Sequence, residues 1–239
     1  MCDEGTGTTI ADQGTGTAQN MTLQNADMWG TDGLLGSKIT CVAATSRYAL
    51  GASGTLFSSS VCLIIIAAST TNGNADANEY MMGYADTGAV GDRGGILAIN
   101  GAQTWQADNN DAAANNVQKT HSGTFYDSSW HMLAMKFRSG TAIECCAVSL
   151  DGASWQLDAS DTINALSNLD RYGLGVRPTG TPVSIFDGAI LAAWVYEDPS
   201  YTSLDDAWIA SLYADPWQFL NTTPVSFEPT MGRCVYILP

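Results

Sequence analysis

The sequence contains few charged residues. Asp, Glu, Lys and Arg make up only 14% of its 239 residues, whereas about 25% is usual in soluble domains. Coiled coils and long exposed helices need more charge, and disordered chains have fewer apolar residues than the 45% found here. Because 24 glycines and many Ser, Thr and Asn residues separate the apolar stretches, the composition favours short strands joined by turns.

Basic residues are the scarcest charged group. Nine Lys and Arg stand against 24 Asp and Glu, which gives a net charge of −15. Affinity for nucleic acids comes largely from basic side chains that displace counterions from phosphates. We therefore expect neither nucleic acid nor an anionic membrane surface as a partner.

Long apolar segments are also lacking. The longest run, residues 61–68, has the sequence VCLIIIAA, whereas a helix needs about 20 residues to cross a bilayer. Residues 1–20 contain no Lys or Arg and no apolar stretch, so we expect no signal peptide. The sequence therefore predicts synthesis in a cytoplasm.

Motifs for common catalytic and redox chemistry are missing. The chain has six cysteines but no C-x-x-C pair, which predicts reduced and partly buried thiols. No G-x-S-x-G, H-E-x-x-H or P-loop pattern occurs. His131 follows a tryptophan at a predicted strand start, and we interpret it as structural.

The periodicity indicates strands and one helix. Residues 131–138 alternate: Leu133, Met135 and Phe137 are predicted to face the core, whereas Lys136 and Arg138 are predicted to face water. Residues 143–150 follow as a hairpin partner that ends at Asp-Gly. Near the C-terminus, Ser203 is a candidate N-cap for a helix that ends before Pro216. The pattern predicts an all-β, two-sheet antiparallel sandwich or jelly roll with one short C-terminal α-helix.

Four stretches in this order resemble a known family: residues 20–29 (NMTLQNADMW), 129–135 (SWHMLAM) with 148–152 (VSLDG), 186–196, and 204–213 with its tail LYADPWQF. They are similar to the laminin-G-like branch of the concanavalin A-like lectin/glucanase superfamily, in the form found in bacteriophage virion proteins. The resemblance implies a two-sheet jelly roll over residues 21–220. Residues 1–20 and 221–239 are then predicted to be an N-terminal and an extended C-terminal arm.

The resemblance does not extend to glucanase activity. Enzymes of this superfamily carry closely spaced carboxylates on one strand, in patterns such as E-x-D-x-x-E, for glycoside hydrolysis. The chain has five glutamates, and none lies in such a pattern. We expect a protein that is not an enzyme.

Two polar loops are candidates for calcium binding, because oxygen ligands at alternating positions suit Ca²⁺. The alternative is that both loops are solvated turns, with no cofactor bound. The candidate ligands are Asn72, Asn74, Asp76 and Asn78 in the first loop and Asp108 and Asp111 in the second.

Four tryptophans lie near turns or polar segments: Trp29, Trp105, Trp155 and Trp217. Each could stack on a sugar, contact a neighbouring subunit or cap the end of the sandwich. The pattern alone leaves these uses open.

The main functional hypothesis is a structural protein on a bacteriophage virion surface, either a capsid decoration or a tail module. Its partners would be the major capsid or tail protein and further copies of itself, and the protein would be made in the host cytoplasm. The C-terminal arm would supply the assembly contacts through Phe227, Tyr236, Ile237 and Leu238. The alternative is a carbohydrate-binding module that recognises host surface glycans, with or without Ca²⁺.

Overall fold

A computed structural model gives the fold of the chain. It describes residues 7–11, 20–32, 36–51, 56–57, 60–69, 78–88, 92–99, 104–111, 113, 115–139, 145–158, 162–166, 168–197, 199–216 and 234–237. Sixteen strands, one α-helix and three short 3-10 helices form within these residues. No helix in these ranges combines the length and apolar character needed to traverse a membrane.

Eight antiparallel strands form the first sheet, here called sheet A. Its order is β1-β2-β5-β14-β7-β8-β9-β10. The strands are β1 (Thr9–Ile10), β2 (Met21–Leu23), β5 (Ala49–Gly51), β7 (Asn78–Ala85), β8 (Arg93–Ile99), β9 (Thr104–Asn110), β10 (Asn116–His121) and β14 (Arg171–Leu174).

The second sheet, sheet B, has the order β13-β12-β11-β6-β15-β4-β3, and β16 also pairs with β15. Its strands are β3 (Trp29–Asp32), β4 (Gly36–Cys41), β6 (Ser60–Ser69), β11 (His131–Arg138), β12 (Cys146–Leu150), β13 (Gln156–Leu157), β15 (Gly188–Glu197) and β16 (Cys234–Ile237). The two antiparallel sheets confirm the predicted jelly-roll sandwich.

The long central strands of sheet B are buried on both faces. On β6, Leu63 and Ile65 belong to the core between the sheets, whereas Ile64 belongs to a second apolar cluster on the outer face. Helix α1 (Asp206–Ala214) covers that cluster with Ile209 and Leu212. The continuous apolar sequence of β6 follows from this double covering.

The predicted hairpin of β11 and β12 is confirmed by the pairing of Leu133 with Leu150 and Met135 with Val148. Asp151 and Gly152 form its turn with φ angles of 51° and 72°, in the left-handed region that Asp-Gly sequences favour. A Cβ atom at Gly152 would lie 2.5 Å from Cβ of Tyr213 on α1. Glycine therefore also allows the helix to pack against the hairpin.

Helix α1 begins later than the sequence predicts. Its N-cap is Asp205, whose Oδ1 accepts a hydrogen bond from the Trp208 amide at 2.8 Å. The predicted N-cap, Ser203, lies in the preceding 3-10 helix Tyr201–Ser203 and donates to the Ser200 carbonyl. Two candidate caps stand close together here, and Asp205 is the one that satisfies a helical amide.

Both predicted arms contribute a strand to the sandwich. Within residues 1–20, β1 pairs with β2 and places Ile10 in the core at 1% exposure. Within residues 221–239, β16 pairs with β15, so that Tyr236 lies opposite Trp194 and Ile237 opposite Ala193. Phe227 and Leu238 lie outside the described residues. The described parts of both segments are therefore elements of the sheets.

Candidate functional site

An open cleft of about 470 Å³ lies on the outer face of sheet B, where β11, β13 and the start of α1 meet. Aromatic, cationic, acidic and hydroxyl groups all line it, which is an unusual mixture on a chain with so few charges. The lining residues are Lys136, Arg138, Trp155, Leu157, Tyr201, Thr202, Asp205, Asp206 and Ala207.

Strand alternation on β11 supplies the basic side of the cleft. Met135 and Phe137 belong to the core between the sheets, so Lys136 and Arg138 point to the outer face, as the sequence predicts. Lys136 is only 6% exposed. The expectation of a water-facing Lys136 is wrong because aromatic side chains cover its ammonium group.

The ammonium group of Lys136 lies between two rings. Its Nζ atom is 4.8 Å from the ring centroid of Trp155 and 4.4 Å from that of Tyr201. It also donates a hydrogen bond to the Leu204 carbonyl at 2.7 Å. The guanidinium of Arg138 lies 4.7 Å from the Tyr201 ring. These cation–π contacts fix both rings in the wall of the cleft.

Trp155 is also anchored to the start of α1. Its backbone amide donates to Oδ1 of Asp206 at 2.8 Å, and its indole Nε1 donates to the Asp205 carbonyl at 3.2 Å. The ring stays half-buried. A tryptophan held at both backbone and side chain gives a rigid aromatic surface, which loses little conformational entropy when a ligand binds.

Trp29 and Trp105, the other candidates that the structure describes, do not line this cleft. Trp105 is fully buried and stacks on His121 at 5.5 Å, so it is a core residue rather than a glycan contact. Trp29 lies on the edge strand β3, where its Nε1 donates to the Gly7 carbonyl at 2.9 Å. Trp217 lies outside the described residues. Of the three candidates that the structure describes, Trp155 is the one in the cleft.

The carboxylate of Asp111 is occupied by hydrogen-bond donors of the protein. It accepts from the amides of Ala113, Asn115 and Asn164 and from the side chains of Asn115 and Asn164, at 2.7–3.1 Å. Burial alone would raise the pKa of Asp111, but these hydrogen bonds lower it. Asp111 thus stabilises a loop as a hydrogen-bond acceptor.

Asp108 has a similar structural environment on β9. Its carboxylate accepts hydrogen bonds from Tyr80, Asn110 and Gln118 at 2.6–3.1 Å. Asn78 is exposed at the start of β7, and Asn72, Asn74 and Asp76 lie outside the described residues. Within the described ranges, no group of three His, Cys, Asp or Glu side chains is arranged to hold a metal ion.

The surroundings of His131 and Cys41 indicate structural roles for both residues. His131 contacts Asp151 at 2.8 Å and Asp127 at 3.1 Å, and so joins the start of β11 to the hairpin turn. Burial and the charge of Asp187 raise the pKa of Cys41 to about 12, so this thiol stays protonated at neutral pH. The geometry of the cleft itself is that of a binding surface.

Sequence reasoning did not find Tyr201, Thr202 or Asp206 as cleft residues. Tyr201 follows β15 by a few residues and is 46 positions after Trp155 in the chain. The outward alternation of Lys136 and Arg138 was the available signal for the basic side. No local pattern shows which aromatic rings will cover them, because that depends on where the segment before α1 packs.

No protein-family model and no curated protein matches the sequence. Solved structures match the fold. Domain 4 of AbnA, a GH43 extracellular arabinanase from Geobacillus stearothermophilus solved in complex with arabinotriose, is 13% identical, with a TM-score of 0.55. The match covers 83% of this chain and 82% of that chain.

A mutant of Trypanosoma rangeli sialidase with trans-sialidase activity is 11% identical, with a TM-score of 0.52. That match covers 87% of this chain but only 32% of the sialidase. The chain therefore shares a jelly-roll sandwich fold with these structures.

Proposed function

We propose that the chain is a carbohydrate-binding module that holds a short oligosaccharide in the cleft of sheet B. One observation carries this proposal. The cation–π contacts of Lys136 hold the rings of Trp155 and Tyr201 in the wall of an open cleft of about 470 Å³. Hydroxyl and charged side chains line the same cleft. Ligand pockets for small molecules commonly have volumes of about 300–1,000 Å³.

The chemistry of the cleft suits sugars. The C–H faces of a pyranose or furanose ring pack against aromatic side chains, which are large, rigid and apolar. Sugar hydroxyls need donors and acceptors at the rim, and Arg138, Thr202 and Asp205 supply both kinds. A cleft that offers both rings and polar groups therefore has the means to orient a sugar.

The structural comparisons support the proposed carbohydrate binding only through the shared fold. The arabinanase domain was solved with arabinotriose bound, and its jelly-roll architecture resembles that of the present chain. Because identity is only 13%, the bound sugar of that domain does not identify the sugar recognised here. Arabinose-containing and other oligosaccharides are both suitable first probes.

The virion hypothesis stays a prediction. The structural matches provide no link to bacteriophages, and the proposed assembly residues Phe227 and Leu238 lie outside the described residues. Incorporation of the protein into purified particles would be its test. Calcium dependence also stays a prediction, which binding assays with and without millimolar Ca²⁺ can address.

The first experiment is a broad glycan array, followed by calorimetric titration of the best oligosaccharide. We expect Trp155→Ala to weaken binding by about tenfold or more, because truncated tryptophans at binding sites commonly cost this much. Trp130→Ala is the matched control. Trp130 also packs against the second apolar cluster but does not line the cleft, so its replacement should leave affinity unchanged.

A second variant separates binding from folding. Ala207 is exposed near the start of α1 and lines the cleft. We expect Ala207→Trp to block the oligosaccharide while the melting temperature stays within about 2 °C of the wild type, since exposed substitutions have small effects on stability. The proposal fails if no glycan binds, or if Trp155→Ala and Ala207→Trp both bind like the wild type.

A further inference from the structure

The outer face of sheet A carries a row of basic residues. Arg171 on β14 and Arg93 on β8 both pair with Ala85 on β7, one from each side. The neighbouring Tyr172 and Tyr84 face the core. Because side chains alternate along a strand, Arg171, Ala85 and Arg93 face outward. With adjacent strands about 4.8 Å apart, the Cα atoms of the two arginines lie roughly 10 Å apart.

A third arginine lies on the same face. The segment after β14 folds back over the sheet, since a Cβ atom at Gly83 would lie 3.1 Å from Cδ of Pro178. It places the guanidinium of Arg177 at 5.8 Å from the ring centroid of Tyr80. Burial and Asp108 raise the pKa of Tyr80, and the charges of Arg177 and Arg93 oppose that rise. The guanidinium of Arg93 donates a hydrogen bond to Oδ1 of Asn110 on β9 at 3.5 Å.

The composition of the chain does not predict this concentration of positive charge. The chain has only nine Lys and Arg residues against 24 Asp and Glu, yet three arginines share one face of one sheet. Among the residues that the structure describes, neither Arg171 nor Arg177 lies within 4.0 Å of a carboxylate oxygen. The Nε atom of Arg177 is buried without a hydrogen-bond partner in the described part of the chain.

Among the described residues, Asp108 on this face does not neutralise Arg171 or Arg177 by contact. Asp108 lies on β9 and accepts its hydrogen bonds from Tyr80, Asn110 and Gln118. Half-buried guanidinium groups without a carboxylate partner are costly, and they gain most from an anion that accepts two hydrogen bonds in one plane. Carboxylate and sulfate groups have this geometry.

We propose that the Arg93, Arg171 and Arg177 face of sheet A binds the carboxylate or sulfate group of an acidic oligosaccharide. The arginines bind the anion, and Oε1 of the exposed Gln118 on β10, whose Nε2 donates to Asp108, accepts from a neighbouring hydroxyl. The site lies on the opposite side of the sandwich from the cleft, so it does not depend on the proposed function of the cleft.

The test is calorimetric titration at about 50 mM salt with three oligosaccharides of equal length: a uronate, a sulfated sugar and a neutral sugar. We expect binding of at least one acidic probe, a weaker affinity at higher salt, and a loss of about tenfold in Arg171→Gln and in Arg93→Gln. Lys119→Gln is the control, since it also removes one positive charge from sheet A. Lys119 pairs with Ala107, which faces the core, so Lys119 does not lie on the arginine face. Its affinity should stay unchanged.

Several outcomes would overturn the proposal. One is the absence of binding to both acidic probes, and another is an equal loss in Lys119→Gln, which would indicate a general charge effect. Equal affinity for a single-stranded DNA oligonucleotide would exclude recognition of a sugar. If Trp155→Ala abolishes binding of the acidic probe, the ligand sits in the cleft, which would retain the proposed function but reject this second site.

Discussion

Replacing Lys136 with methionine tests how the cleft is built. The substitution keeps the length of the side chain and removes the ammonium group, which donates to the Leu204 carbonyl and lies between Trp155 and Tyr201. Leaving the carbonyl without this donor costs about 1–3 kcal/mol. Two desolvated cation–π contacts together contribute about 1–3 kcal/mol. Methionine recovers part of this loss, because its thioether packs on rings and needs no hydration. We therefore expect a net destabilisation of about 2–3 kcal/mol.

Urea unfolding at pH 7 measures this loss. Lys38→Met is the matched control, because Nζ of Lys38 lies 5.9 Å from the Trp130 ring and its side chain is half-buried. We expect that variant to lose less than about 1 kcal/mol. A double-mutant cycle of Lys136→Met with Tyr201→Leu isolates the ring contact, with an expected coupling of about 0.5–2 kcal/mol. A coupling near zero, or a Lys136→Met protein as stable as the wild type, would refute the proposed role of Lys136.

Two further predictions concern stability. The hydrogen bond with Asp151 raises the pKa of His131, burial opposes this rise, and Asp127 adds to it. The stability advantage of the wild type over His131→Gln should therefore be complete below the unfolded pKa of about 6.5. It should shrink as pH rises through the higher folded pKa, and a constant difference in urea midpoints from pH 5.5 to 9 would contradict this. Asp205→Ala should cost about 1 kcal/mol by removing the N-cap of α1, whereas Ala210→Ser at an exposed position of the same helix should change the urea midpoint little.

Much of the sandwich follows from local sequence. Alternation predicts β11, and an Asp-Gly dipeptide predicts the turn that joins it to β12, because both signals arise within a few residues. The apolar run of β6 predicts a strand covered on both faces, which α1 provides. Local patterns failed where two residues competed for one role, as Ser203 and Asp205 did at the start of the helix.

The cleft was less predictable than the strands. Trp155 was a candidate by its position near a turn, but so was Trp105, which the structure buries in the core. The difference depends on strand register: Trp105 pairs with His121 across β9 and β10 and faces inward. Register is set by the whole sheet, so a single segment cannot reveal which tryptophan remains near the surface.

The sandwich also separates the two proposed binding sites. Helix α1 covers the central strands of sheet B, so the cleft forms at the margin of that face, beside β11 and β13. The arginine face belongs to sheet A, and stacked sheets lie about 10 Å apart with side chains projecting beyond them. One short oligosaccharide cannot therefore contact Trp155 and Arg171 together. The effects of Trp155→Ala and Arg171→Gln on two different sugars should be independent, because distant sites without shared partners behave additively. A chain with both sites would link two glycan strands rather than hold one more tightly.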